Sequence, residues 1–266
     1  TEPQGDARGT PKWKIKVRVQ TQSHSIRQPD LNWFNNAGGY IRLDRGKNSG
    51  ELIITMTMPS AVSVHALWEA GYLYSRKFVA ALNIGSFGLF WWQLPLNVSK
   101  YYEKVIDIEN GSEIRMERVP SLSLDWGNKV LDKTVLFHAM LAYRHLSQLR
   151  PEMLNHYLTG LGFMGKSDIH NRMEPYALLS FYRGFLAALR SYDDWDGQSP
   201  IEQAMHMMFD RDFAGHSEWI EPTCLAAALE TGLLPSQELT LSHVGAMKMY
   251  LDAYLVMRMK AHSNKQ

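Results

Sequence analysis

Between Phe78 and Leu96 the chain reads FVAALNIGSFGLFWWQLPL, nineteen residues without a charge. No other stretch restricts the fold as much. A helix that spans a bilayer needs about 20 mostly apolar residues. Here Asn83, Gly85, Ser86, Gly88, Gln93 and Pro95 interrupt the run. Gly costs roughly 1 kcal/mol in a helix interior and Pro about 3 kcal/mol. The run is therefore expected to form two buried strands, Phe78–Ile84 and Leu89–Leu94, and no transmembrane span. Gly85-Ser86-Phe87-Gly88 would turn between them, because Gly tolerates positive φ. Phe87, Phe90, Trp91 and Trp92 would then fill a core, since large aromatics bury the most surface.

The clearest periodic signal lies earlier, in KWKIKVRVQT. Trp13, Ile15, Val17 and Val19 alternate with Lys12, Lys14, Lys16 and Arg18. A period of two makes this a strand with one apolar and one cationic face. Such a face can be a solvated surface or a charged edge that discourages aggregation. It can equally be a ridge for phosphate or anionic lipid. Arg27, Arg42, Arg45 and Lys47 follow, so residues 1–50 hold nine bases against four acids. Trp33, Phe34 and Tyr40 are interleaved with them, a mixture that suits stacking on single-stranded nucleic acid and a sheet core alike.

Residues 1–11 are polar, with Pro and Gly, and are expected to be a flexible arm. Tyr40–Leu43 and Glu51–Met58 read as a strand pair around the turn from Asp44 to Gly50. A short helix should follow Ser60, its candidate N-cap, with Val64, Leu67, Trp68 and Tyr72 inward. Tyr101–Ile108 and Glu113–Val119 flank Asn110-Gly111, a strong hairpin signal. From about Gly127 helical patterns take over. Lys129–Leu149 is apolar over much of its circumference. Glu152–Leu161 should be closed by Gly160, Gly162 and Gly165, and Pro175 should open a helix reaching about Arg190. Pro200–Asp210 and Glu221–Leu234 give further helices. Thr240 starts the last, with Val244, Met247, Leu251 and Leu255 inward. Strands and helices in separate blocks predict an α+β fold, a β-rich N-terminal part followed by a mainly α-helical C-terminal part. The expected division is an arm at 1–11, a β-rich domain at 12–125 and a helical domain at 126–266, with a boundary near Ser121–Gly127. One composite domain would fit the same pattern.

The near-zero formal net charge of +1 hides a polarity. From Arg190 to Glu238 ten acids face two bases, opposite in sign to the first fifty residues. Local signatures of chemistry are missing. His138 and His145 share a helix and His156 follows, but no HExxH and no cysteine cluster accompany them. Asp193-Asp194-Trp195-Asp196 lacks the spacing of a calcium loop. Cys224, the only cysteine, sits in an apolar run with no nucleophile motif and is expected to be a packed thiol. Met205, Met207, Met208, Met247, Met249, Met257 and Met259 are expected to fill helical core. No cofactor or metal motif appears, and no Walker-type loop.

The Lys12–Thr21 strand, the loop after it and the Arg76–Gly88 segment resemble parts of rhabdovirus matrix proteins. The resemblance stops at the helical half, and no site residue is carried over from it.

These readings favour a non-catalytic structural protein that self-assembles, so a homo-oligomer, and binds RNA or another polyanion. A viral matrix- or nucleocapsid-like role is one version. The candidate nucleic-acid-binding residues are Lys12, Lys14, Lys16, Arg18, Arg27, Arg42, Arg45 and Lys47. Partners would be RNA or single-stranded nucleic acid, or an anionic membrane surface. The alternatives are an enzyme or small-ligand-binding protein with a site assembled from scattered residues, and a soluble protein-interaction adaptor. One cysteine and no visible leader point to an intracellular, cytoplasmic or nuclear setting. A leader already removed would leave the same sequence.

Overall fold

The computed structural model describes residues 13–37, 39–58, 63–92, 129–146, 149–166, 172–192, 220–233 and 239–263. The fold is α+β, with a β-rich N-terminal part followed by a mainly helical one. The arm at 1–11, the hairpin around Asn110-Gly111, the Ser121–Gly127 boundary and the Pro200–Asp210 helix lie outside the described residues. Backbone contacts divide the chain into two interleaved units. The first takes Thr1–Trp92, Trp126–Gln148 and Met259–Gln266. The second takes Gln93–Asp125 and Leu149–Arg258.

The first unit is built on a four-stranded sheet in the order β3-β4-β1-β5. Its strands are β1 (Trp13–Thr21), β3 (Ile41–Arg45), β4 (Glu51–Met58) and β5 (Phe90–Trp91). A second, two-stranded sheet pairs β2 (His24–Ser25) in parallel with β6 (Lys129–Val130). β1 runs antiparallel to β4, and β4 to β3, the latter being the strand pair read from the sequence. Val19, Ile41, Leu43, Leu52, Ile54 and Met56 form one buried face. Helix α1 (Gln28–Asn36) packs on β3, and its Asn35 side chain bonds both backbone groups of Leu43 at 2.8 Å. Helix α2 (Val64–Ser86) crosses the same face, with Gly71 against the Ile15 side chain. Its cap is Ser63, which accepts from the Ala66 N–H. Tyr72, expected inward, is 60% exposed.

The uncharged run is the main correction. Phe78–Ile84 is no strand; it continues α2 to Ser86, where Phe87 ends the helix in the left-handed region at φ 52°. Two physical reasons override the propensity cost. Asn83 does not break the helix, because its buried side chain has specific partners. Its amide donates to the carbonyls of Val79 and Phe90, and its oxygen accepts from the Phe90 N–H. Gly85 serves close approach instead of a turn: a Cβ there would run into the backbone of His138 and Ala139 on α3 (Lys133–His145). The second expected strand survives as β5. Phe90 is fully buried, but Phe87, Trp91 and Trp92 are only half-buried.

The helix expected from Lys129 begins at Lys133, because Asp132 caps it by accepting from the Val135 N–H at 2.9 Å. A residue whose side chain satisfies the first turn sits outside the helix. Lys129 and Val130 are strand, and Phe137 on α3 is 59% exposed.

The second unit is helical. α4 (Pro151–Lys166) runs through Gly160, Gly162 and Gly165 and is not closed by them. Gly160 lies against the Phe181 ring of α5 (Glu174–Tyr192), where a side chain would collide. Pro175 occupies the first turn of α5, as expected. α6 (Ile220–Glu230) stops short of Leu234. α7 (Leu241–Ser263), which belongs to this unit as far as Arg258, buries Val244, Met247, Leu251 and Leu255, the stripe read from the sequence. At the centre of this unit Lys248 and Asp252 pair at 2.5 Å with both side chains fully buried, and the Tyr157 hydroxyl donates to Asp252.

Candidate nucleic-acid interface

In an antiparallel sheet, residues paired across strands project from the same face. The pairing therefore sorts the cations without ambiguity. Lys16 pairs with Thr55, and Thr55 with Arg42, so these three make one row. Lys14 pairs with Thr57 in the row before, and Arg18 with Ile53 and Asp44 in the row after. Lys14, Lys16 and Arg18 stand at every second position of β1, roughly 7 Å apart. Arg42 stands two strands away from Lys16, roughly 10 Å across. All four are exposed. α1 and α2 pack on the opposite face, so these cations project from the face away from both helices.

The other candidates do not join them. Arg45 pairs with Leu52 and so has the parity of the core face; it is exposed only at the strand's end. Lys47 lies exposed in the turn. Arg27 precedes α1 and is paired with Asp30 at 2.8 Å. Lys12 lies outside the described residues. Arg45 was separable in the sequence, since Ile41 and Leu43 set the core parity of β3 and Arg45 follows it.

Two acids share the face. Asp44 stands 3.7 Å from Arg42, an exposed and therefore weak pair. Glu51 closes the turn, accepting from the Asn48 side chain at 2.7 Å and from the Asn48 N–H at 3.1 Å. Those hydrogen bonds, led by the side-chain one, hold its carboxyl below the usual range, and Arg18 adds to the effect. The face thus keeps a positive excess, strongest at Lys14 and Lys16 and reduced at Arg42 by Asp44 and at Arg18 by Glu51.

The interleaved aromatics do not form a stacking platform there. Phe34 is buried against Phe78. Tyr40 turns to α3, its hydroxyl donating to Tyr143 at 2.9 Å. Trp33 is partly exposed on α1.

The remaining chemical candidates stay apart. His145 bonds the Ser263 hydroxyl at 2.9 Å. Burial lowers the pKa of His138, with Lys260 assisting, and likewise that of His156, with Arg183 assisting. Among the described residues no three His, Cys, Asp or Glu side chains gather as metal ligands. Cys224 is exposed on α6, contrary to the packed thiol expected: the apolar run around it has nearly no sidedness, and the helix turns this position outward. Among the described residues no helix is long and apolar enough to cross a membrane.

No protein-family model, curated protein or solved structure matches this chain.

Proposed function

We propose that this protein is a non-catalytic, self-assembling RNA-binding protein that holds the phosphate backbone on the sheet face away from α1 and α2. The observation that carries the reading is the row Lys16–Thr55–Arg42, which brings a fourth cation beside the three on β1. The spacing of alternate strand residues is close to that of successive phosphates on an extended strand. With the described aromatics turned elsewhere, contact is through charge alone. Backbone contacts position a nucleic acid without reading its bases, so little sequence preference is expected. A coat-like role, as in a viral matrix or nucleocapsid protein, is one form such an activity takes.

The test is a titration of single-stranded RNA with the parent and with the Lys14→Gln/Lys16→Gln double variant, over a range of salt. Both side chains are exposed, so the variant should fold as the parent does. It should bind more weakly, with the salt slope flatter by roughly 1.4 if each contact contributes about 0.7. Size measurement with and without RNA reads self-assembly in the same samples. Vesicles containing anionic lipid form the control arm, because lipid headgroups would follow the same salt trend. A parent that binds vesicles but no RNA would redirect the reading to a membrane surface.

A further inference from the structure

The sheet's two long edges are treated differently. On β3 the outward backbone groups of Leu43 are occupied by Asn35. Among the described residues the β1 edge away from β4 is paired at Gln20 and Thr21 alone, by β5. Over Trp13–Val19 it meets no strand among the described residues. The Thr21 N–H donates toward β4, to Gly50 at 2.8 Å. Backbone direction alternates along an antiparallel strand. The N–H and C=O groups of Lys14, Lys16 and Arg18 therefore point outward, along the open edge. Side chains of these same residues share the cationic face.

The apolar face of β1 is unfinished along the same stretch. Ile54 and Met56 on β4 are wholly buried, whereas Val17 and Ile15 opposite them are partly exposed and Trp13 is 45% exposed. An unpaired edge is a template for another strand. A second copy of β1 is a poor occupant, because like charges set opposite one another are destabilising. The complementary occupant has acidic side chains on one face and apolar ones on the other.

We propose that the β1 edge is a docking site for an extended acidic peptide segment of a partner protein, added antiparallel as a further strand. Its acidic residues would lie across from Lys14, Lys16 and Arg18. Its apolar residues would cover Trp13, Ile15 and Val17. Antiparallel addition matches both strands that β1 already pairs with. This inference goes beyond RNA binding and does not depend on it; RNA on the ridge would compete for the same three cations.

The probe is a capped eight-residue peptide of alternating Val and Glu, titrated at low salt with backbone amide shifts followed by NMR. The expected result is binding with the largest shifts at Lys14, Lys16 and Arg18. In antiparallel pairing the glutamates opposite those residues carry the inward N–H groups. N-methylation of the glutamates should abolish binding, while N-methylation of the valines should leave it within about threefold. Replacing Glu by Lys should weaken it at least tenfold, since three attractive pairs become repulsive. Equal binding by the peptide N-methylated at glutamate would reduce the contact to side-chain attraction and overturn strand addition. No binding of the parent peptide at low salt would also overturn it, leaving the lysines as guards of a closed edge.

Discussion

Asn83 shows how one side chain decides the fate of a whole segment. Its position in an apolar run argues against a helix when only propensity is weighed. Paired as it is, the residue joins the end of α2 to β5, accepting the Phe90 N–H at 3.0 Å and donating to the Phe90 carbonyl at 2.8 Å. Asn83→Ala should leave buried backbone groups without partners, at about 1–3 kcal/mol. Chemical denaturation measures this, and a loss below half of 1 kcal/mol would mean that water replaces the amide. The second residue-scale test concerns Lys248 and Asp252. A buried charge whose partner is removed costs roughly 3–5 kcal/mol. Lys248→Met should approach that figure. Tyr157→Phe removes one hydrogen bond from Asp252 and should cost about 1–3 kcal/mol. The reverse order of the two variants would place the stabilisation in the hydroxyl contact instead of the ion pair.

Elements with one buried face were the most legible. Period-two alternation located β1, the turn from Asp44 to Gly50 located β3 and β4 on either side of it, and the apolar stripe of α7 is readable from its spacing. The uncharged run was not legible, because an element apolar on all sides has no periodicity to distinguish strand from helix. What settles it is tertiary: the contact of Gly85 with α3 and the hydrogen bonds of Asn83 involve residues far along the chain or across a turn. The position of Trp91 and Trp92 in the core was likewise overstated, since β5 is only two residues long. Phe90→Ala should therefore destabilise by roughly 3–5 kcal/mol, and Trp92→Ala by clearly less. Equal losses in a thermal or urea melt would show that Trp92 is as deeply packed as Phe90.

At the scale of the molecule, the near-neutral total charge conceals where the charge resides. The sequence placed a surplus of bases in the first fifty residues but grouped eight of them as one site. Pairing register divides that group, because only Lys14, Lys16, Arg18 and Arg42 of the described candidates share the face away from α1 and α2. Such a division depends on which residues stand opposite one another, and a count of charges is blind to it. The acidic surplus between Arg190 and Glu238 lies largely outside the described residues, so the basic face carries the functional account. Position on that face, and not total charge, is what should determine polyanion binding. The direct measurement is the salt dependence of RNA affinity for Arg42→Gln and Arg45→Gln, two variants of identical charge on one strand. Arg42→Gln should flatten the slope by about 0.7, while Arg45→Gln should leave it unchanged. Equal changes in both, or a change in Arg45→Gln alone, would contradict it.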